Sequence, residues 1–188
     1  MDALNLYGFY LFQKSSQDNK VLKDLLQYIR STAPGKNHTF SYVEAENSLH
    51  PHLSLMENLQ LEVGFKNWKE FQMGTRSEWT ALMNLIKRPE LEAGKAENWE
   101  RFLISYLKGA INPTKNLLID MNEDLYSAFH LQSFKKNILQ ITKEKSVFIA
   151  TANSPIWLDC AHTLIGRREY QFEVQTLDSE LVKKHWAA

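Results

Sequence analysis

Residues Asn116–Tyr126 read NLLIDMNEDLY. Leu117, Leu118 and Ile119 form a short apolar run without helical or alternating period, the pattern of a strand buried on both faces. The run ends in Asp120, and a polar turn and a helix start follow. A buried strand that ends this way delivers its carboxylate to the rim of the sheet. In open α/β sheets that rim is where ligands bind. The stretch has the form of a place where chemistry happens, provided the rest of the chain supplies the groups that chemistry needs.

Working outward, Trp99, Phe102, Leu103, Tyr106, Leu107, Ala110 and Ile111 fall on one helical face, and Asn112-Pro113 stops that helix. Downstream, Phe129, Leu131, Phe134, Ile138 and Ile141 mark a helix, and Ser146–Thr151 (SVFIAT) is a second fully apolar strand. Ser154-Pro155 carries the signature of an N-cap followed by proline at the first helical position, so a helix containing Cys160 is expected there. Leu164–Val174 suits one or two strands and Leu177–Trp186 a terminal helix. Upstream, Leu6–Phe12 reads as an aromatic-rich buried strand and Val21–Ile29 as a helix. Thr39–Val43 alternates like a strand. Ser54 and Glu57 have capping-box spacing for a helix that opens after Pro51. Two short helices are expected within Gly64–Pro89, and a loop around Gly94. Strands alternating with helices predict an α/β fold, a largely parallel sheet flanked by helices. In domain terms, residues 1–57 and 112–188 form the α/β core of a single domain, and 58–111 an inserted helical subdomain.

Composition narrows the function classes. The 188 residues are 44% hydrophobic and 12% aromatic, ample for a packed core. With 22 basic and 22 acidic residues the formal charge is +0, which disfavours nonspecific nucleic-acid binding. The single cysteine, Cys160, excludes an internal disulfide and fits a reducing compartment. Leu4–Phe12 is too short and lacks the basic front of a signal peptide, and no run approaches the ~18 apolar residues of a membrane span. A cytoplasmic chain is expected, reaching the inner face of a membrane only through a partner. No Ser/His/Asp order, CxxC, GxGxxG or HExxH pattern is present.

The order of pieces resembles the nucleotide-binding domain of ABC transporters, a P-loop ATPase fold. Leu49-His50-Pro51-His52-Leu53-Ser54 and Glu57-Asn58 match the run that follows the Q-loop in that family. The helix over 99–111 sits where the helix after the signature motif lies, Leu117–Asp120 where Walker B lies, and Val147–Asn153 where the strand before the switch histidine lies. The resemblance covers about residues 6–170. It implies a cytoplasmic ATPase-like domain that contacts a second ATPase subunit, a permease or itself.

The departures from that family are systematic. Phe12–Lys20 holds no glycine, so close approach of backbone to phosphate is impaired. The motif's lysine region falls on Asp18, Asn19 and Lys20, and Asp18 repels phosphate; Lys14 and Lys20 lack the motif context. The Q-loop glutamine falls at Glu44 or Ala45, and the signature falls on 94–98, with Glu97 at a central position. The Walker B glutamate falls on Met121, whose thioether cannot act as a base. The D-loop aspartate falls near Ser127 and the switch histidine on Ala152. Among the catalytic positions only Asp120 survives.

Weighed one by one, the chemistry-bearing residues read modestly. Asp120 suits a cap on the following turn, and Glu123 and Asp124 suit the positive end of a helix dipole. His50 and His52 lack a third ligand, so no metal is expected. Cys160 reads as a buried structural thiol. The loop His50, Pro51, His52 and Leu53 is the expected partner face, with Trp68 and Trp79 as candidate anchors at an interface. The expectation is a catalytically inactive ABC-ATPase-like pseudo-enzyme without a bound cofactor, acting as a structural or regulatory subunit through protein contacts. The alternatives are a divergent nucleotide hydrolase using Asp120, Glu123 and Lys20, or an unrelated α/β adaptor.

Overall fold

The structure is a computed structural model that describes residues 8–14, 19–32, 39–44, 49–64, 77–168 and 171–177. Six strands form one sheet: β1 (Gly8–Gln13), β2 (Phe40–Val43), β3 (Asn116–Asp120), β4 (Ser146–Thr151), β5 (Thr163–Arg168) and β6 (Gln171–Thr176). Their spatial order is β2-β3-β4-β1-β5-β6. The first five run parallel, and β6 returns antiparallel to β5. This is the largely parallel α/β sheet that the sequence predicts. The strands read from continuous apolar runs are central ones. β4 is buried throughout, and β1 and β3 are buried except at their last residue. Burial on both faces is why they lack alternation.

The sheet separates two cores. Helix α1 (Asn19–Thr32) lays Val21, Leu22, Leu25 and Ile29 on a face made by Tyr10, Phe12, Leu118, Phe148, Ala150 and Ile165. The opposite face, built on Phe9, Leu11, Val43, Leu117, Ile119, Val147 and Ile149, carries the larger core. It is covered by α2 (Leu55–Val63), α3 (Ser77–Met83), α4 (Asn98–Ile111) and α5 (Ala128–Ile141). Ser54 caps α2 in a complete capping box with Glu57, as its spacing predicts.

Helix α4 is more enclosed than its single apolar stripe suggests. Ile104, Ser105 and Gly109 are buried along with the stripe. The reason lies in its neighbours: α4 packs against α2, α3, β2 and β3. Its rings Trp99, Phe102 and Tyr106 also meet Phe134 of α5. A Cβ on Gly109 would lie 2.9 Å from both Leu117 Cδ1 and Val43 Cγ2, so glycine sets how closely the helix meets the sheet.

One local expectation fails. Ser154-Pro155 opens only a 3₁₀ turn, Ser154–Ile156, followed by turns through Cys160 and not a helix. β5 begins at Thr163, which leaves too few residues for a helix and a return. The Trp157 side chain is also drawn inward, fully buried. The expected terminal helix falls on residues that lie almost wholly outside the described set.

Candidate functional site

Because β1, β3 and β4 are parallel, their carboxyl ends share one edge. After β1 the chain leaves to one face through α1, and after β3 to the other through α5. The crevice between them is therefore a topological switch point. Side-chain alternation divides this rim into two clusters. Register pairs Phe12 with Ala150 and Ala150 with Asp120, so Lys14 and Asp120 belong to the α1 side. Met121 continues the row of Leu117 and Ile119 toward the other core.

On the α1 side, Lys14 Nζ donates to Asp120 Oδ1 in an ion pair whose side chains are 12% and 17% exposed. The Lys14 backbone N–H donates to the Thr151 carbonyl at 2.8 Å. The Tyr42 hydroxyl is also hydrogen-bonded to Asp120. Its acidity is pushed well below that of a free tyrosine, first by partial burial and then by the Asp120 and Glu44 carboxylates. Asp120 is thus held from two sides. It does not cap the turn after β3, as the sequence suggests. Its partners come from residues far away in the chain.

On the other side, Met121 is 1% exposed and lies in the large core. Glu123 is 4% exposed, and its Oε1 accepts from the Thr151 hydroxyl and from Trp157 Nε1–H, the latter at 2.6 Å. Asn153 N–H donates to Thr151 Oγ1 at 2.9 Å, extending the network along the rim. Glu123 therefore departs from the expected helix-dipole role: it is a buried acceptor joining the turn after β3 to the end of β4. Asp124 beside it is exposed.

The remaining motif positions have structural employment or none in the described set. Glu97 is the N-cap of α4 in a reciprocal box with Glu100, whose buried carboxylate also accepts from Lys87 N–H at 2.9 Å. Ser127 is the N-cap of α5, its hydroxyl accepting from His130 N–H at 3.3 Å. Ala152 is exposed just beyond β4. Asn19 and Lys20 open α1, with side chains outside the described residues. Asp18, Ala45 and Trp68 lie outside them altogether.

The loop before α2 is exposed at His50, Pro51 and His52 and half-buried at Leu53. It is nonetheless well tethered. Fully buried Asn58 accepts from His50 N–H at 2.7 Å and donates to the carbonyls of His50, Leu53 and Ser54. Ala93 N–H and Gly94 N–H donate to the Leu53 and Pro51 carbonyls. Trp79 is half-buried against the large core. Cys160 is only partly buried, yet burial first and Asp159 second push its thiol up to about 12, so it carries no nucleophilic thiolate near neutral pH. No group of three or more His, Cys, Asp or Glu with metal-holding geometry occurs among the described residues. None of the described helices is long and apolar enough to cross a membrane.

Sequence reasoning missed Tyr42, Thr151 and Trp157 as partners of the rim carboxylates. The register of the strands is the only signal that would have found Thr151, and nothing local marks the other two.

A Mg²⁺-nucleotide does not fit the described part of this rim. The Asp120 carboxylate is engaged by an ammonium and a hydroxyl, the Met121 thioether beside it is packed in the core, and the Glu123 carboxylate is taken by two donors.

No protein-family model and no curated protein matches this sequence. Solved structures do. The dimeric post-hydrolysis state of the ATP-binding cassette MJ0796, bound to ADP and Pi, superposes with a TM-score of 0.71 at 10% identity, over 95% of this chain and 89% of that one. A second dimeric structure of MJ0796, a bacterial ABC transporter cassette, gives 0.69 at 9% identity over the same shares. Similarity at that level of identity is similarity of fold: the chain has the α/β architecture of an ATP-binding cassette.

Proposed function

We propose that this chain is a catalytically inactive subunit with a cassette fold, working through protein contacts and not through turnover. Its partner is an ABC ATPase subunit, a membrane permease or a second copy of itself, and any membrane location, at the cytoplasmic face, comes through that partner. The observation that carries the reading is the state of Asp120. The one surviving catalytic-type carboxylate is bound to Lys14 and Tyr42, and the next residue, Met121, is packed in the core. A general base contributes roughly 10²–10⁴ to rate. Glu123 does not replace it, because its described contacts are to buried donors and it has almost no access to solvent.

The exposed, tethered loop His50–Leu53 supports a contact role. A loop already held by Asn58 has little freedom left to lose on binding, which lowers the entropic cost of association.

Calorimetric titration of the full chain with ATP and Mg²⁺ is expected to show no binding up to about 1 mM, the upper end of ordinary substrate ranges, and phosphate release is expected to stay at background. Micromolar binding with hydrolysis that disappears in Asp120→Asn would overturn the reading in favour of a divergent hydrolase.

For the contact face, the double variant His52→Asp/Leu53→Asp is expected to weaken capture of a purified partner at least about tenfold, since it places charge where an apolar contact is made. Capture equal to wild type would remove the loop from the interface.

A further inference from the structure

Lys14 does more than neutralise a neighbour. In the sheet, β4 stands between β3 and β1. The gap from the end of β1 to the end of β3 is thus two interstrand steps, roughly 9–10 Å. The Lys14 backbone is pinned to β4 through Thr151 O, and its side chain runs across the end of β4 to Asp120. Met121 N–H, donating to Ala150 O at 2.9 Å, ties β3 to β4 at the same level. Tyr42 closes the arrangement from the β2 side. Both members of the ion pair are largely shielded from water, so little solvent screens them.

We infer that Lys14 is a tethered counter-ion that occupies the cation position at Asp120 and closes this rim to divalent metal. The inference deepens the reading of the chain as a contact subunit and rests on it in one respect: a subunit that cycles nucleotide needs an exchangeable cation there, and one that only makes contacts does not. A dication approaching Asp120 meets a like charge fixed to the same chain, and must both displace the ammonium and leave it without a partner in a poorly solvated place. Among the described residues, the charge of Asp120 is therefore matched by Lys14 without a dissociable ion.

The test uses Mn²⁺ alone, without nucleotide, titrated into the full-length chain while free Mn²⁺ is read by its paramagnetic resonance signal. Lys14→Met removes the charge and keeps the length of the side chain. It is expected to bind one Mn²⁺ at least about tenfold more tightly than wild type, since it removes an interaction between charges in contact at low effective dielectric. The gain is expected to vanish in Lys14→Met/Asp120→Asn, and Lys14→Arg, which keeps a cation, is expected to match wild type. Isotherms of wild type and Lys14→Met that superimpose overturn the inference, as does a gain that survives Asp120→Asn. Should Lys14→Met fold poorly, Asp120→Asn in the wild-type background decides: unchanged Mn²⁺ binding agrees with a closed rim, and a loss of binding overturns it. Nucleotide affinity does not enter any of these readings, so failure here is distinguishable from failure of the contact-subunit proposal.

Discussion

Trp157→Ala is expected to lower the free energy of unfolding by about 3–5 kcal/mol, the range for truncating a fully buried large aromatic. Trp157 has 0% exposure and lies at edge-to-face angles to Phe9 and Phe134, with ring centroids 6.1 Å away in each case. The substitution opens a cavity between the start of β1 and the middle of α5. It also removes a donor from the buried Glu123 carboxylate, which keeps only the Thr151 hydroxyl among its described side-chain donors. Cavity and lost donor can be separated. Trp157→Phe retains most of the ring and loses the N–H, so its cost is expected to be about 1–3 kcal/mol, the range for an under-satisfied buried polar group. Glu123→Gln in the Trp157→Phe background is expected to recover part of that loss, because a neutral amide tolerates the missing donor better than a carboxylate. Urea denaturation with a common slope reads all three. A loss below about 1 kcal/mol in Trp157→Ala would show that Trp157 does not hold the rim to the core.

The second large effect is expected at Asn58, and it is local before it is global. Asn58→Ala leaves the His50 N–H without its acceptor and takes the side-chain donor from the carbonyls of His50, Leu53 and Ser54, which keep backbone donors from Leu53, Ala93 and residue 58, in a part-buried setting. Each under-satisfied group costs about 1–3 kcal/mol if water cannot reach it. The loop is exposed at His50, Pro51 and His52, so water will satisfy some of them, and the expected net loss is about 2 kcal/mol. Asn58→Asp is expected to be worse than alanine although it is closer in shape. It keeps the acceptor for His50 N–H but turns an acceptor-only carboxylate toward three carbonyl oxygens, a repulsion that alanine does not introduce. Hydrogen exchange at the His50 amide is the direct reporter, since its donor bond goes to the side chain being changed. Exchange as slow as in wild type in both variants would mean that the loop is held without Asn58.

The parts of the fold legible in the sequence share a physical cause. Leu117–Ile119 and Val147–Ala150 were readable as strands because burial on both faces removes alternation and leaves continuous apolar runs. The Ser54–Glu57 box was readable because both partners lie within one helical turn. The failure at Ser154-Pro155 has the opposite cause. A local cap signal was outweighed by contacts from elsewhere: Trp157 is bound to Glu123, and His162 is bound to β1, its N–H to the Phe9 carbonyl and its Nδ1 to the Phe9 N–H. Phe129, which fits the apolar spacing of α5, is nonetheless 65% exposed; its place at the first turn of the helix lies at the edge of the buried stripe.

Residue order alone puts Asp120 at the end of a buried strand, denies Met121 the role of a base, and leaves Phe12–Lys20 without glycine. These follow from residue type and local pattern. What Asp120 touches depends on the assembled sheet. Lys14 lies 106 positions away along the chain, just past the end of β1, a strand that is not even adjacent to β3. The same holds for Glu123, whose partners Thr151 and Trp157 arrive 28 and 34 positions later. Strand order and register bring such charges and donors together, and neither is written in the spacing of the residues themselves.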